Sequence, residues 1–205
     1  METKRKNIKV ATMKMLFLTV CIFFGCFNHA LFAQSLSWKG DRQISMRMTS
    51  IINTHIRLIN KWAQNPVLIN SVIKQNQKNV SLEEIMKIDK QWLAGEINSF
   101  AISLQKNKAG KLLYDQISQN SRLYVEAFLC DEKGAVVAEY PETTDYWQGD
   151  EEKFLKSYNS GKGQIYVGPL LFDDSTKTNS VQISIPVFDK KKTIGVLIVG
   201  LKNIK

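Results

Sequence analysis

At Arg122 the hydrophobic repeat of the chain changes from helical to extended, and this switch limits the fold more than any other feature. Before it, apolar residues recur at steps of three and four. After it, short runs rich in β-branched and aromatic residues alternate with turn signals. Helices first and strands afterwards, closely spaced, define an α+β domain with an antiparallel sheet. The expected boundaries are a helical half over residues 34–121 and a sheet half over 122–205.

In the helical half, Ile44, Met48, Ile51, His55, Leu58 and Trp62 form one stripe of a long amphipathic helix over residues 36–63. At 1.5 Å per residue it would reach about 42 Å. Asn65-Pro66 ends it, because proline removes a backbone donor and disfavours a helical residue before it. A short helix over 67–75 follows. Ser81 and Glu84 then have the spacing of a capping box ahead of a helical repeat running from Ile85 through Trp92 to Leu104. A last helix is expected at 111–118. In the sheet half, about five strands are expected at 124–129, 135–140, 164–167, 181–187 and 194–201, with turns at 131–134, 160–163 and 189–192.

The first 33 residues read as a secretory signal: a basic start, an uncharged stretch over 15–27, and small residues ending at Ala33. The apolar stretch is shorter than the roughly 20 residues needed to span a bilayer. The expectation is a periplasmic or secreted protein cleaved after Ala33, the alternative being a membrane anchor through residues 15–33. Much of the net charge of +9 belongs to this segment. The remaining charges are scattered, so no nucleic acid is expected as a partner. Cys21 and Cys26 lie within the signal, which leaves Cys130 without an intramolecular disulfide partner.

His55 is the one histidine beyond the signal, and it sits among Ile51, Ile52, Leu58 and Ile59 as a packing position. A histidine-based zinc site or a Ser-His-Asp relay is therefore not expected. No cofactor and no metal are expected, and the chain is not read as an enzyme.

Residues 143–154, Thr-Thr-Asp-Tyr-Trp-Gln-Gly-Asp-Glu-Glu-Lys-Phe, hold four carboxylates and three aromatic rings. Asp145, Asp150, Glu151 and Glu152 supply enough acids for glycoside hydrolysis, which needs two at a fixed separation. A helix start explains them more simply: Asp150 would cap, and Glu151 and Glu152 would complement the dipole. The spacing of calcium ligands is missing. The Asp173–Ser175 turn is read as a polar link between strands. Gly161, Gly163 and Gly168 miss the spacing of a dinucleotide loop and precede a strand, which fits a hairpin turn.

A pocket uses these residue types best, since apolar walls supply affinity and a few polar groups supply selectivity. Tyr146 and Trp147 would wall it, and Asp145 would accept from a donor such as an ammonium. Tyr166, Asp173, and Tyr124 with Glu126 on one face of the first strand would close it from below. Tyr146 and Trp147 as plain core under the loop is the competing reading.

The order of long helix, Asn-Pro break, Asp-Lys-Gln-Trp at 89–92, strand Tyr-Val-Glu-Ala-Phe-Leu-Cys-Asp at 124–131, the 143–151 stretch, Gly-Lys-Gly-Gln-Ile-Tyr-Val-Gly at 161–168, Phe-Asp-Asp-Ser at 172–175 and Ile-Ser-Ile-Pro-Val-Phe-Asp at 183–189 resembles the Cache family. These are PAS-like extracytoplasmic sensor domains of bacterial chemoreceptors, histidine kinases and cyclic-dinucleotide enzymes. The resemblance implies a small extracellular ligand and a PAS-like sheet. It departs at Lys153 and Phe154, where family members often carry a tryptophan pair, and at Phe172, where a tyrosine is usual. No output segment follows Lys202, so a stand-alone sensor is expected, with a separate membrane receptor or kinase as partner. The alternative is an interaction protein that keeps the fold and has lost its ligand. Further apolar residues around the first helix, Met46, Ile52, Ile56 and Ile59, lead to an expected homodimer through that helix or docking onto the receptor.

Overall fold

The computed structural model describes residues 44–173 and 178–203. The element order is α1 (Met46–Ala63), α2 (Pro66–Gln77), α3 (Leu82–Leu93), α4 (Asn98–Lys106), α5 (Lys108–Gln119), β1 (Tyr124–Cys130), β2 (Val136–Tyr140), α6 (Glu152–Tyr158), β3 (Tyr166–Val167), β4 (Leu171–Asp173), β5 (Thr178–Asp189) and β6 (Lys192–Lys202). Helices precede strands, with α6 alone placed among them, and the fold is α+β. The sheet is antiparallel with strand order β2-β1-β6-β5-β3, and β4 pairs with the start of β5. The sixth strand exceeds the expected five. It comprises three residues, too few for alternation to register.

Helix ends follow local chemistry. Ser45, in extended conformation, accepts from the Met48 N–H at 3.1 Å and starts α1. The helix thus begins at Met46, and residues 36–43 of the expected span lie outside the described residues. Asn65 accepts from Val67 N at 2.8 Å with Pro66 as the first helical residue, so the Asn-Pro pair both ends α1 and opens α2. Ser81 accepts from Glu84 N. The repeat from Ile85 to Leu104 is not one helix. Gly95, at φ +70°, closes α3 in the left-handed conformation that an L side chain resists, and α4 restarts at Asn98. Asn107 accepts from Gly110 N to cap α5 and donates to Val137 O at 2.9 Å, tying the helix to β2.

The face that α1 buries also differs from the expected stripe. Met48, Ile52, Ile56, Ile59 and Ala63 are buried, whereas Leu58 is 40% exposed and Met46 91%. The helix carries apolar residues around most of its circumference, so two stripes overlap in sequence. Contact with the sheet selects the one centred on Ile52 and Ile56.

The sheet separates two cores. On one face α1, α2 and α5 meet Ala127, Leu129, Val181, Ile183, Ile185, Leu197, Val199 and Leu201. On the other, Phe128, Cys130, Val196 and Ile198 pack with Ile85 and Trp92 of α3, Ala101 and Leu104 of α4, Tyr146, and Phe154 of α6. Strands β5 and β6 join through a tight turn in which Lys190 has φ +55°. The β1–β2 turn is organised by Asp131, whose Oδ1 accepts from Lys133 N at 2.8 Å and Ala135 N at 3.0 Å. A Cβ at Gly134 (φ +87°) would stand 2.4 Å from Gly149 Cα, so this glycine permits the 143–149 loop to lie against the turn.

Two local expectations fail around α6. Its cap is Glu151 rather than Asp150, and no side chain closes it. Residues 160–163 do not join two strands as a hairpin. They end α6 through left-handed Asn159, Ser160 and Gly161 and lead into β3. Among the described residues no helix is long and apolar enough to cross a membrane. Residues 1–33, with the expected signal or anchor, lie outside the described residues.

Candidate functional site

On the sheet face opposite α1, three adjacent strands build a polar floor. Glu126 on β1 stands in register with Gly200 on β6, and Gly200 with Gln182 on β5. A Cβ at Gly200 would come within 2.6 Å of Glu126 Cγ. The missing side chain thus lets Glu126 lie across β6, where its Oε1 accepts from Gln182 Nε2 at 2.8 Å. Phe128, two residues further along β1, supplies the apolar part.

The roof is the 143–148 loop, fixed from both sides. Asp89 of α3 accepts from Tyr146 N at 2.9 Å and Trp147 N at 2.8 Å, and Trp92 Nε1 donates to Thr143 O at 3.1 Å. Trp147 Nε1 donates to Lys133 O at 2.9 Å. Two charge-assisted bonds from one carboxylate hold two consecutive backbone amides, which makes this loop a rigid lip. Gln148 Nε2 donates to the Asp145 carboxylate, while Gln148 Oε1 is buried without a partner among the described residues. Burial pushes the Asp145 carboxyl up, with the nearby Glu151 charge adding to it and the bonds from Gln148 and Thr144 and the charge of Lys153 opposing it.

Lys153, on α6, leaves 15% of its side chain exposed. Its Nζ lies 3.4 Å from Glu151 and 5.4 Å from the Phe128 ring centroid. Between floor and roof is a cavity of about 100 Å³ lined by Glu126, Phe128, Thr143, Thr144, Gln148, Lys153 and Gln182. It presents carboxylate, ammonium and amide groups over one aromatic ring. Among the described residues there is no cluster of three or more His, Cys, Asp or Glu able to hold a metal ion.

The seven candidate residues fall in different places. Glu126 lines the cavity, and Asp145 adjoins it through Gln148. Tyr166 pairs with Ser184, on the same face as Gln182, but donates to Glu152 rather than lining the cavity; burial, then Glu152, raises its pKa. Asp173 pairs with Thr178 on β5, and its side chain lies outside the described residues. Tyr146 is 2% exposed and packed between Trp92, tilted at 5.9 Å between ring centroids, and Phe100, edge-on at 5.6 Å, so it belongs to the core. Trp147 packs at the rim of that core.

Tyr124 is on the other side of the sheet. A β-bulge between Tyr124 and Glu126 shifts the register against β6 and reverses the alternation, so the expectation that these two share a face is corrected. Tyr124 faces α1, where its hydroxyl meets His55 Nδ1 and its ring packs edge-on to Trp62 at 4.9 Å. His55 is thus a half-buried structural histidine, and desolvation lowers its pKa.

Sequence reasoning passed over Gln182, Gln148 and Lys153. Gln182 was readable: in Val-Gln-Ile-Ser-Ile the polar residues alternate with buried aliphatics and mark the second face. Lys153 stands in the wall of the cavity, at a position where the resemblance leads one to look for tryptophan. Nothing local in the sequence reveals the convergence with Glu126, because it depends on α6 folding back over the sheet.

Helices around a six-stranded antiparallel sheet, with a polar cavity on one face, form an α+β fold consistent with a PAS-like sensor domain. No protein-family model matches the chain, and no curated protein matches it. Among solved structures it is similar to the sensory domain of the Campylobacter jejuni chemoreceptor Tlp3 with isoleucine bound, at 17% identity over 67% of this chain and 64% of that one, with a TM-score of 0.37. The Vibrio cholerae histidine kinase DctB sensor domain aligns at 14% identity over 76% of this chain and 57% of that one, TM-score 0.38. The ligand-binding domain of the Pseudomonas aeruginosa amino acid chemoreceptor PctC in complex with GABA aligns at 17% over 62% and 60%, TM-score 0.36. The chain spans less than two thirds of the length of each of these three.

Proposed function

We propose that this chain is a Cache-type extracytoplasmic sensor domain that binds a small polar molecule between Glu126, Gln182, Gln148 and Lys153 and performs no catalysis. One observation carries the reading. Groups of both charges converge on one cavity over Phe128, and beside them the amide oxygen Gln148 Oε1 is a buried acceptor without a partner among the described residues. A buried acceptor left unmatched costs roughly 1–3 kcal/mol, which a ligand donor would recover. The ligand is therefore a compact molecule with a donor such as an ammonium. Export through residues 1–33 and transmission to a separate receptor or kinase belong to the same reading.

The test is thermal unfolding of the chain against amino acids, carboxylates, amines and purines. A ligand at 100 times its Kd adds about 2.7 kcal/mol, which corresponds to roughly 5–10 °C for a domain of this size. The shift should vanish in Glu126→Ala and Lys153→Met. No shift from the whole library, together with turnover in small-molecule hydrolase assays, would replace this reading with a carboxylate-dependent hydrolase.

One feature favours a second reading, an interaction protein that has lost its ligand: about 100 Å³ is below the ~300–1,000 Å³ of ordinary ligand sites. That reading predicts neither shift nor turnover. The proposed homodimer rests on α1, where Met46 and Leu58 are exposed. Sedimentation over a hundredfold range of concentration should show mass rising toward twice the monomer, with a Leu58→Glu variant remaining monomeric. Strictly monomeric wild-type behaviour throughout would remove the homodimer.

A further inference from the structure

A second and larger cavity, of about 550 Å³, lies at the outer edge of the sheet, against β2 and between α2, α4 and α5. Its base is apolar, with Phe100 and Leu104 of α4, Val136 of β2 and the ring of Tyr146. Its rim carries Lys74 of α2, Lys78 at the C-cap of that helix and Lys108 of α5, and no carboxylate lines it.

The three ammonium groups concentrate positive charge at one rim. Lys74, in the last turn of α2, and Lys78, at its C-cap, complement that helix's dipole but stand four residues apart, a spacing at which like charges repel. Lys108 opens α5, whose first turn has no acidic residue, so a cation stands where the helix dipole favours an anion. Lys78 donates to Gln75 Oε1 at 3.0 Å, a neutral partner. Among the described residues none of the three lysines forms an ion pair. Cations concentrated around an apolar hollow of ligand size match a molecule with an apolar body and one anionic end.

We propose that this cavity is a binding site for small amphipathic carboxylates, an aryl or short alkyl chain seated on Phe100, Leu104 and Val136 with its carboxylate held by Lys74, Lys78 and Lys108. The site is separate from the Glu126 cavity and has the opposite charge preference. The 143–148 loop borders both, with Tyr146 facing this cavity while Thr143, Thr144 and Gln148 line the other.

The experiment is a titration of the isotope-labelled 205-residue chain with phenylacetate and hexanoate, and with their uncharged amides, followed by backbone amide shifts. Saturable changes at Phe100, Leu104 and Val136 are expected for the acids. The amides should bind at least about tenfold more weakly, and the affinity of the acids should fall as salt is raised. Lys74→Gln, Lys78→Gln and Lys108→Gln combined should lower acid affinity at least about tenfold; these side chains are exposed, so the fold does not depend on them. Glu126→Ala should leave acid binding unchanged while abolishing ligand-induced stabilisation at the polar cavity, so the two sites fail independently. Absence of saturable shifts with both acids, equal affinity for acids and amides, or undiminished binding to the triple variant would each overturn the proposal.

Discussion

Replacing Tyr146 with alanine is expected to lower the unfolding free energy by about 3–5 kcal/mol, measured by urea denaturation, because it empties a fully packed aromatic site. Tyr146 is 2% exposed and touches the rings of Trp92 and Phe100, and its own backbone N–H and that of Trp147 donate to Asp89. The surrounding helices cannot close the gap without breaking those bonds. Tyr146→Phe keeps the ring and should cost less than about 1 kcal/mol. A different outcome, with Tyr146→Ala leaving stability intact, would show that the ring does not hold this core together.

The second large effect is a pH dependence centred on Glu139. Its side chain is fully buried on β2, and burial raises its pKa from 4.5 to about 7, against the lowering effect of bonds from Thr143. Thr143 donates to Glu139 Oε2 from its backbone N at 3.0 Å and its Oγ1 at 2.8 Å, while Glu139 Oε1 is buried without a partner among the described residues, so the carboxylate is only half compensated for its burial.

The unfolded chain loses this proton near pH 4.5 and the folded chain near 7. Between those values the folded state holds more protons, so stability falls as pH rises, by up to about 1.4 kcal/mol per pH unit and about 3 kcal/mol in all. Below the window and above it the contribution is flat. Denaturation midpoints across pH 4–8 should show this slope in the wild type, and Glu139→Gln should remove it while retaining an acceptor for Thr143 N. An unchanged slope in the variant would assign the effect to other carboxyls.

The fold class was legible because the change of period at Arg122 is a property of the chain alone. So were the Asn65-Pro66 break and the Ser81 cap, each decided by atoms a few residues apart. The buried stripe of α1 was not, since its two overlapping apolar arcs are equivalent until the sheet chooses Ile52 and Ile56 over Leu58. The face of Tyr124 was hidden for a related reason: one bulged residue in β1 inverts the parity on which strand reasoning depends. The candidate cavity was half visible. Glu126 and Asp145 stand in suggestive surroundings in the sequence, whereas Gln182 and Lys153 reach them only through strand pairing and the return of α6.

The position of β6 has a kinetic consequence. It lies at the centre of the sheet, between β1 and β5, yet follows every other element in the chain. Its pairing with β5 closes across a tight turn, but its pairing with β1 joins Cys130 to Val196 and Tyr124 to Leu201 over the whole sheet half. Closing so long a segment costs chain entropy before any contact repays it, which makes this pairing slow beside the local contacts of the helices and the β5–β6 hairpin. Until β6 docks, the Glu126–Gly200–Gln182 floor does not exist. The polar cavity is therefore among the last features the folding chain acquires, and mutations in the β5–β6 hairpin should delay its appearance together with the native sheet.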